Sequence, residues 1–337
     1  MSPHMTIASW NMNGISFLKA DPEKRRRLKA SITRQLKTEC IHKYRPDFLA
    51  VQEIVRYEEN GALQELVDPP EGYCYQSSIA INTASQNHPV KWQPIREAGK
   101  WASGAYLGQG NGLLWRKDIP HGSIWDWTGE KARCGEGLRQ EAIRIDTGLF
   151  IGNRDTEPRL AVVSHFIWEN HHVFIVNLHL TTLVKEREGF PERDCLGAEI
   201  RGKQLDIVLN GIVSRYNQWR EDQGVIKIED RPIWFLAGDF NATEDSLEIA
   251  KVNRLNFLDL CLEKGAGTKR GKNGRSAALT LDYIFAGPAY YAFDPHVVKR
   301  LLAKTSQPPL YEVNVSDHYP IVARFPGAWE PLGLTQK

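Results

Sequence analysis

Short apolar runs alternate with amphipathic stretches along the chain, and this alternation is the pattern of an α/β protein. Polar residues and residues that form turns bound the apolar runs, as is typical of strands. Some runs are apolar almost without interruption, which favours strands that are covered on both faces. Strands are predicted at residues 6–10, 47–51, 112–116, 141–146, 159–168, 172–180, 232–237, 281–286 and 321–325.

Helical spacing marks three other stretches. Residues 22–44 repeat apolar side chains close to every ~3.6 positions, and Pro46 ends the pattern. Residues 58–67 and 198–218 show a similar amphipathic pattern and are also predicted to be helical. Residues 68–112 contain several Pro and Gly and form the least regular region of the sequence.

The organisation of the chain is simple. The strands at 159–168 and 172–180 are close in sequence and predict a hairpin. No repeat or linker divides the chain, so residues 5–326 are predicted to form one α/β domain of sheet packed on sheet, flanked by helices. Residues 327–337 would then be a tail, and residues 1–4 look like a cloning remnant.

The composition limits the function without defining it. Of 337 residues, 42% are apolar, which is enough for a large core, and 43 basic against 41 acidic residues leave a net charge of +2. Bulk charge therefore gives no argument for nucleic acid; only local basic clusters could. Five scattered cysteines without metal-ligand spacing favour free thiols in a reducing compartment, so we expect a cytoplasmic protein. No apolar run reaches the ~20 residues of a membrane span.

Polar residues recur where the predicted strands end. Several have an ordinary explanation alone: Asn-x-Asn-Gly is most often a turn, and His179 could be a hydrogen-bonded core histidine. Asp282 differs, because it lies inside an apolar strand, where a buried carboxylate needs a partner. Jointly the residues are hard to explain by packing, and sheet edges hold site residues rigidly. The set is Asn11, Asn13, Glu53, His179, Asp239, Asn241, Asp282, Asp317 and His318.

Six short motifs carry these residues and span nearly the whole chain. They are Ser9-Trp10-Asn11-Met12-Asn13-Gly14, Val51-Gln52-Glu53, Asn177-Leu178-His179, Gly238-Asp239-Phe240-Asn241-Ala242, Leu281-Asp282-Tyr283-Ile284-Phe285 and Ser316-Asp317-His318-Tyr319-Pro320. Their order resembles the endonuclease/exonuclease/phosphatase superfamily, which includes deoxyribonucleases, AP endonucleases, sphingomyelinases and inositol-polyphosphate phosphatases. The resemblance implies a four-layer α/β sandwich, with two packed central β-sheets flanked by helices, and hydrolysis of a phosphate ester by metal-activated water.

The resemblance also implies a magnesium site, with Mn²⁺ able to substitute. A hard divalent cation held by carboxylates neutralises an anionic ester and lowers the pKa of water. Glu53 resembles the main ligand, with Asp317 beside it, Asn13 acting through water and Asn11 supporting the metal shell. At the position of Asn13, AP endonucleases resemble one another in having an aspartate. This chain therefore has one negative charge fewer with which to bind a second metal ion.

The same resemblance assigns the catalytic groups. His318 would lie by the attacked phosphate, with Asp282 accepting its other ring proton and fixing the tautomer. Asp239 would orient or deprotonate the water, and Asn241 would hold that water or a phosphate oxygen. Both Asp239 and His318 stay open as the general base.

His179 is the expected donor to the phosphoryl oxygens as negative charge builds in the transition state. The position is a histidine in deoxyribonuclease-like and sphingomyelinase-like members of the superfamily. A histidine in this role needs an acidic or amide partner, and Gln109 and Glu141 are both candidates.

Two basic clusters favour nucleic acid as the substrate. One is residues 24–29, and the other is a Gly-rich loop shortly before Asp282 that contains Lys269, Arg270, Lys272 and Arg275. Such cations could contact successive phosphates without reading sequence. The leading hypothesis is a magnesium-dependent nuclease for DNA or RNA. The alternatives are a phosphatase or phosphodiesterase for a small or lipid phosphate and, from another class, a non-catalytic binding relative. The insertion at 183–197 is the expected place for substrate choice.

Overall fold

Twelve strands form two sheets of six strands each in the part of the chain that the computed structural model describes. This part comprises residues 4–18, 20–59, 62–79, 107–122, 140–145, 159–168, 171–214, 232–260, 268–269, 279–287 and 316–325. The strands are β1 (Met5–Asn11), β2 (Phe48–Glu59), β3 (Ala62–Glu65), β4 (Tyr73–Ile79), β5 (Leu107–Arg116), β6 (Gln140–Arg144), β7 (Leu160–Trp168), β8 (His171–His179), β9 (Ile233–Asp239), β10 (Leu258–Asp259), β11 (Asp282–Gly287) and β12 (Ile321–Phe325).

The first sheet joins the two ends of the chain. Its strand order is β12-β1-β2-β5-β4, and β3 pairs with the far end of β2. β1 is parallel to β2, with Asn11 opposite Gln52, and antiparallel to β12, with Ser9 opposite Ile321. The first two sequence motifs therefore lie in the same sheet as the strand that follows His318.

The second sheet has the order β10-β11-β9-β8-β7-β6. β7 and β8 form the predicted hairpin, with Trp168 opposite His171. β8 and β9 are parallel, and β11 is antiparallel to β9. Since β8 and β9 point the same way and β11 starts where β9 ends, the polar residues of these three strands meet at one edge.

Helices cover the outer face of each sheet. The described helices are α1 (Gly14–Leu18), α2 (Pro22–Gln35), α3 (Pro191–Asp206) and α4 (Leu247–Arg254); α2 continues into a π-helix at Leu36–His42, and α3 into another at Ile207–Ser214. α2 begins where the sequence indicates, because Asp21 Oδ1 accepts a hydrogen bond from Lys24 N at 2.8 Å and Pro22 occupies the first turn.

Three apolar clusters separate four layers and confirm the predicted sandwich. Adjacent residues of β2 face opposite sides of the first sheet. Leu49 packs outward with Ile32 of α2, whereas Phe48 packs between the sheets against Phe166, with ring centroids 4.6 Å apart. Leu205 of α3 belongs to the third cluster, on the outer face of the second sheet.

The helix predicted at residues 58–67 is wrong. β2 continues to its end at Glu59 and pairs with β3, so that Arg56 lies opposite Glu65. Asn60-Gly61 stands between the two strands, and this dipeptide is a strong sequence signal for a hairpin. Strand pairing along this edge therefore prevails over the local amphipathic spacing.

Two other boundaries also differ from the prediction. The helix expected from residue 198 begins at Pro191, because proline has no N–H to leave unpaired in the first turn. The region at 68–112, predicted to be irregular, contains β4 and the start of β5. None of the described helices combines the length and apolar character that crossing a membrane requires.

A buried ion network fastens α3 and α4 to the loop after β8. Arg201 Nη1 lies 2.5 Å from Glu186 Oε1, and its Nε lies 2.7 Å from Glu248 Oε1. Arg201→Met would leave Glu248 without this cation and Glu186 with only the more distant Arg187, at 3.7 Å, so we expect the free energy of unfolding to fall by about 3–5 kcal/mol. Urea unfolding measures this difference.

Lys203→Met is the matched control on the same helix. Lys203 pairs with Glu199 at 2.6 Å, but both side chains are mostly exposed. An exposed pair of this kind contributes little to stability, because water and salt screen it. If Arg201→Met destabilised the protein no more than Lys203→Met does, the buried network would not be holding the loop.

Candidate active site

Three neighbouring strands of the second sheet bring His179, Asp239 and Asp282 side by side. His179 is opposite Asp239 in the β8–β9 pair, and Asp239 is opposite Asp282 in the β9–β11 pair. Gly238 has φ 147°, and a Cβ there would lie 1.9 Å from the carbonyl oxygen of Leu178. The glycine of the Gly-Asp motif thus lets β8 and β9 approach closely where the site begins.

Asn11 at the end of β1 joins the two sheets at this edge. Its Nδ2 donates to Glu53 Oε1 at 3.1 Å and to Asp239 Oδ2 at 3.0 Å. Its Oδ1 accepts a hydrogen bond from the backbone N–H of Asn13 at 2.9 Å, which fixes the orientation of the amide. Asn11 therefore holds one carboxylate of each sheet in a single arrangement.

A β-bulge directs Glu53 into the site. The register between β2 and β5 shifts between Val51 and Ile54, and Glu53 has φ 51°. A bulge adds a residue to one strand and re-aims its side chain. Gly14 is required beside it, because a Cβ at this position would lie 1.9 Å from the carbonyl oxygen of Glu53.

A buried amide layer under the site also crosses the sandwich. Gln52 Nε2 donates to Asn177 Oδ1 at 2.7 Å, and Asn177 Nδ2 donates to the carbonyl oxygens of Val51 and Gly112. Both amides belong to motifs that the sequence singled out. They fix the relative position of the sheets, and with it the position of the carboxylates above them.

His318 enters the site from the loop before β12. Its Nδ1 lies 2.9 Å from Asp282 Oδ2 and its Nε2 lies 3.6 Å from Asp239 Oδ2. The loop is held by Ser316 Oγ, which accepts from His318 N and donates to the carbonyl oxygen of Asn11. Trp10 Nε1 donates to the carbonyl oxygen of His318.

The carboxylates around His318 set its charge. Burial alone would lower the pKa of His318, but the negative charges of Asp282 and Asp239 and the hydrogen bond to Asp282 raise the pKa to about 9. Burial raises the pKa of Asp282, and its histidine partner opposes that shift. At neutral pH His318 is therefore an imidazolium between two acidic side chains.

His179 has the opposite character. Arg159 Nη1 lies 2.7 Å from His179 Nδ1 and 3.1 Å from Nε2. Burial and the charge of Arg159 lower the pKa of His179 well below its usual value, so the ring is neutral. Nε2 faces two carboxylates, 3.7 Å from Glu53 Oε1 and 3.8 Å from Asp239 Oδ2, which favours the tautomer with the proton on Nε2 and with Nδ1 as the acceptor from Arg159.

The sequence did not single out Arg159. The residue is buried and immediately precedes β7. Gln109, expected as a partner of His179, makes no hydrogen bond to it among the described contacts, and the side chain of Glu141 lies outside the described part of the structure. The β7–β8 register places Arg159 opposite Leu180, the neighbour of His179 that faces the other side of the sheet, so the hairpin alone gave no signal for this contact.

Three other predicted site residues lie around this centre. Asn241 has φ 48°; its N–H donates to Asp239 Oδ1 and its Nδ2 to the carbonyl oxygen of Leu180. Asn13 Oδ1 accepts a hydrogen bond from Ser16 Oγ. Asp317 is not beside Glu53 in any described contact; its side chain is 46% exposed and its Oδ2 lies 3.7 Å from Lys269 Nζ.

Of the four predicted cationic contacts, Lys269 alone falls within the described residues. Its backbone pairs with Leu279 and with His318, which places it at the rim of the site. Arg270, Lys272 and Arg275 lie outside the described residues.

The side chains present fit a hard divalent cation. Glu53 and Asp239 offer carboxylate oxygens that share the Asn11 amide, and Glu53 remains 16% exposed at the side chain. Asp239, Asp282 and His318 also offer ligand atoms within 4.8 Å of one another, but Asp282 Oδ2 and His318 Nδ1 are already paired with each other at 2.9 Å. Glu53, with Asp239 beside it, would therefore hold the ion.

The fold and this geometry define the class of protein. It is an α/β sandwich whose site, at the edge that both sheets share, is built from acidic, amide and histidine side chains. A family model described as the Endonuclease/Exonuclease/phosphatase family matches residues 8–318. The chain belongs to this family, whose members are in general hydrolases that use divalent metal ions.

Several solved structures have the same fold as this chain. A D. rerio TDP2 humanized by 14 mutations is 16% identical, with 95% of this chain and 98% of that chain covered and a TM-score of 0.50. A family member from Bacteroides vulgatus is 14% identical (96% and 98% covered, TM-score 0.51). A mannosyl-6-phosphatase from Bacteroides thetaiotaomicron is also 14% identical (94% and 98% covered, TM-score 0.52). At these identities the likeness shows the fold alone, and no curated protein matches the chain.

Proposed function

We propose that the chain is a magnesium-dependent nuclease that hydrolyses phosphodiester bonds of DNA or RNA. The observation that carries the proposal is the convergence of side chains on Asp239 Oδ2. Asn11 Nδ2 lies 3.0 Å from this oxygen, His318 Nε2 3.6 Å and His179 Nε2 3.8 Å. Asn11 fixes this carboxylate by a hydrogen bond, and the two imidazole nitrogens face it, so the carboxylate is positioned for proton transfer at a neighbouring phosphate.

The charges of the two histidines separate their roles. His318 is already protonated at neutral pH, so it serves as a donor to the phosphate and its leaving oxygen rather than as the base. Asp239 is then the base that takes the proton of the attacking water. Bound Mg²⁺ at Glu53 would supply charge neutralisation and a lower pKa for that water.

Neutral His179 and Arg159 complete the electrostatics. A neutral ring with its proton on Nε2 can donate to a non-bridging phosphoryl oxygen without adding a full charge. Arg159 Nη1, at 2.7 Å from Nδ1, holds this tautomer and adds a buried positive charge behind the ring. An anionic phosphate would therefore meet the charge of His318 directly, with the charge of Arg159 behind the neutral ring of His179.

The choice of nucleic acid rests on the cations at the rim. Lys269 Nζ lies 3.7 Å from Asp317 Oδ2, so it is close to the loop that carries His318. A side chain in this position can contact a second phosphate on the same strand. The mannosyl-6-phosphatase shares the fold, and a small phosphate ester is therefore the substrate class against which the nuclease is tested.

A substrate panel tests the proposal. Circular plasmid, single-stranded DNA and RNA are incubated with the protein in Mg²⁺ and in EDTA, beside a small chromogenic phosphodiester and a phosphomonoester. We expect cleavage of at least one nucleic acid that requires Mg²⁺. Hydrolysis confined to a small ester would contradict the nuclease and favour the phosphatase or phosphodiesterase. No hydrolysis of any substrate would favour a binding relative.

A further inference from the structure

The loop after β8, at residues 183–190, has a strained backbone that is rigidly held. Lys185 has φ 64° and Arg187 has φ 63°, a region that side chains other than glycine rarely adopt, and Gly189 has φ 88°. Such conformations persist only where the surroundings determine them, and they concentrate at functional sites. The positive φ angles therefore mark this loop as a segment whose conformation is fixed by its surroundings.

Glu186, between the two strained residues, is the anchor of the loop. Its Oε2 accepts from the backbone N–H of Leu183 at 2.8 Å, and its Oε1 pairs with Arg201. Gly197 of α3 leaves the space for this carboxylate, since a Cβ there would lie 2.6 Å from Glu186 Cδ. The buried end of the loop is thus fixed, and its neighbours are turned outward.

Arg187 fastens the outward side of the loop to the active site. Its Nη1 donates to the carbonyl oxygen of Asn241 at 2.8 Å, and its Nη2 donates to Thr182 Oγ1. The N–H of Asn241 in turn donates to Asp239 Oδ1. Asn241 is therefore the one residue that links Arg187 of the loop to Asp239, the group that we propose as the base.

The outward side of the loop combines charged side chains with two exposed apolar ones. Phe190 is 38% exposed even though Lys185 Nζ lies 5.0 Å from its ring centroid. Of the five exposed large apolar side chains in the described part of the chain, Val184 and Phe190 lie in this loop, and Leu196 lies in α3, which follows it. Single exposed apolar residues need no explanation, but Phe190 lies three residues after Arg187, whose side chain contacts Asn241 beside Asp239.

We propose that Phe190 is the platform on which an unpaired base stacks, the base being that of a nucleotide next to the scissile phosphate. The proposal rests on the nuclease function and specifies its substrate as a single strand or an unpaired end. Aromatic side chains stack on bases of any type, and the nearby charge of Lys185 suits an anionic strand. The loop at 183–197 then selects unpaired nucleic acid without reading its sequence.

The test uses short single-stranded oligonucleotides in which one linkage alone is cleavable. One strand is intact, a second has an abasic residue on the 5′ side of that linkage, and a third has it on the 3′ side. We expect Phe190→Ala to lower kcat/KM on the intact strand by roughly tenfold, the size of one stacked base. The kcat/KM of wild-type protein should be lower by the same factor on one of the two abasic strands than on the intact strand. On that abasic strand the kcat/KM of Phe190→Ala should equal its own value on the intact strand.

Three variants serve as controls. Phe190→Trp keeps the ring and should retain activity on the intact strand, whereas Phe190→Leu keeps apolar bulk and should behave like Phe190→Ala. Leu247→Ala removes an exposed apolar side chain of α4, 76% exposed, and should change nothing. Thermal unfolding of each variant shows whether the fold is kept.

The outcomes separate the two proposals. Wild-type protein could cleave the intact strand while Phe190→Ala loses the same activity on intact and abasic strands, or loses no activity on either. In both cases the stacking platform is wrong and the nuclease proposal stands. Equal activity of Phe190→Leu and wild type would also overturn the platform. If wild-type protein cleaves no strand and hydrolyses only a small ester, the nuclease itself fails, and the platform fails with it.

Discussion

Asp239→Asn is expected to lower kcat for phosphodiester hydrolysis by roughly 10²–10⁴-fold, the range of a positioned acid–base group. The substitution keeps the size of the side chain but removes the lone base that Asn11, His179 and His318 surround. It also removes one of the two charges that raise the pKa of His318, so the remaining activity should reach its maximum at lower pH. Steady-state rates measured across pH with one substrate show both effects.

Asp245→Asn is the matched control for this change. Asp245 lies after the same strand, is exposed, and accepts a hydrogen bond from Thr243 Oγ1. A surface substitution away from the site should leave the rate and the pH profile as in wild type. Turnover of Asp239→Asn close to that of Asp245→Asn would remove Asp239 from the chemistry.

Glu53→Gln is expected to weaken Mg²⁺ binding by at least about 10–100-fold, since changes to mere supporting groups of a metal site have effects of this size. The amide still fits the bulge and can still contact Asn11, but it lacks the charge that a hard cation requires. Calorimetric titration of Mg²⁺ into the protein measures the loss. The Mg²⁺ concentration that gives half-maximal activity should rise in parallel.

Glu71→Gln makes the same replacement at an exposed position of the loop before β4 and should bind Mg²⁺ as wild type does. Equal affinity in Glu53→Gln and Glu71→Gln would place the metal elsewhere. The described cluster of Asp239, Asp282 and His318 would then be the site to examine next.

Most of the fold could be predicted because the signals were local. An apolar run such as the one ending at Trp168 indicates a strand whatever surrounds it, and Asp21-Pro22 indicates the start of a helix. The prediction failed at residues 58–67, where amphipathic spacing suited a helix but pairing with the rest of β2 decided the outcome. Pairing depends on a distant register, which a single segment does not carry.

The site residues also divide into those that the sequence could identify and those that it could not. Asp282 was recognisable because a carboxylate inside an apolar strand requires a partner, and the structure places His318 at 2.9 Å. Arg159 was not recognisable as a site residue, because a charged residue before a strand is usually solvated. The link through Asn11 between Glu53 and Asp239 was also beyond the sequence, since it depends on how the two sheets are aligned.

The most direct measurement is the rate at which wild type and Asp239→Asn cleave one single-stranded oligonucleotide, in Mg²⁺ and after EDTA. We predict cleavage by wild type in Mg²⁺, its loss in EDTA, its return when Mg²⁺ is restored, and a rate at least about 10²-fold lower for Asp239→Asn. Cleavage that persists in EDTA, or that Asp239→Asn performs as fast as wild type, would contradict a metal-dependent nuclease centred on Asp239.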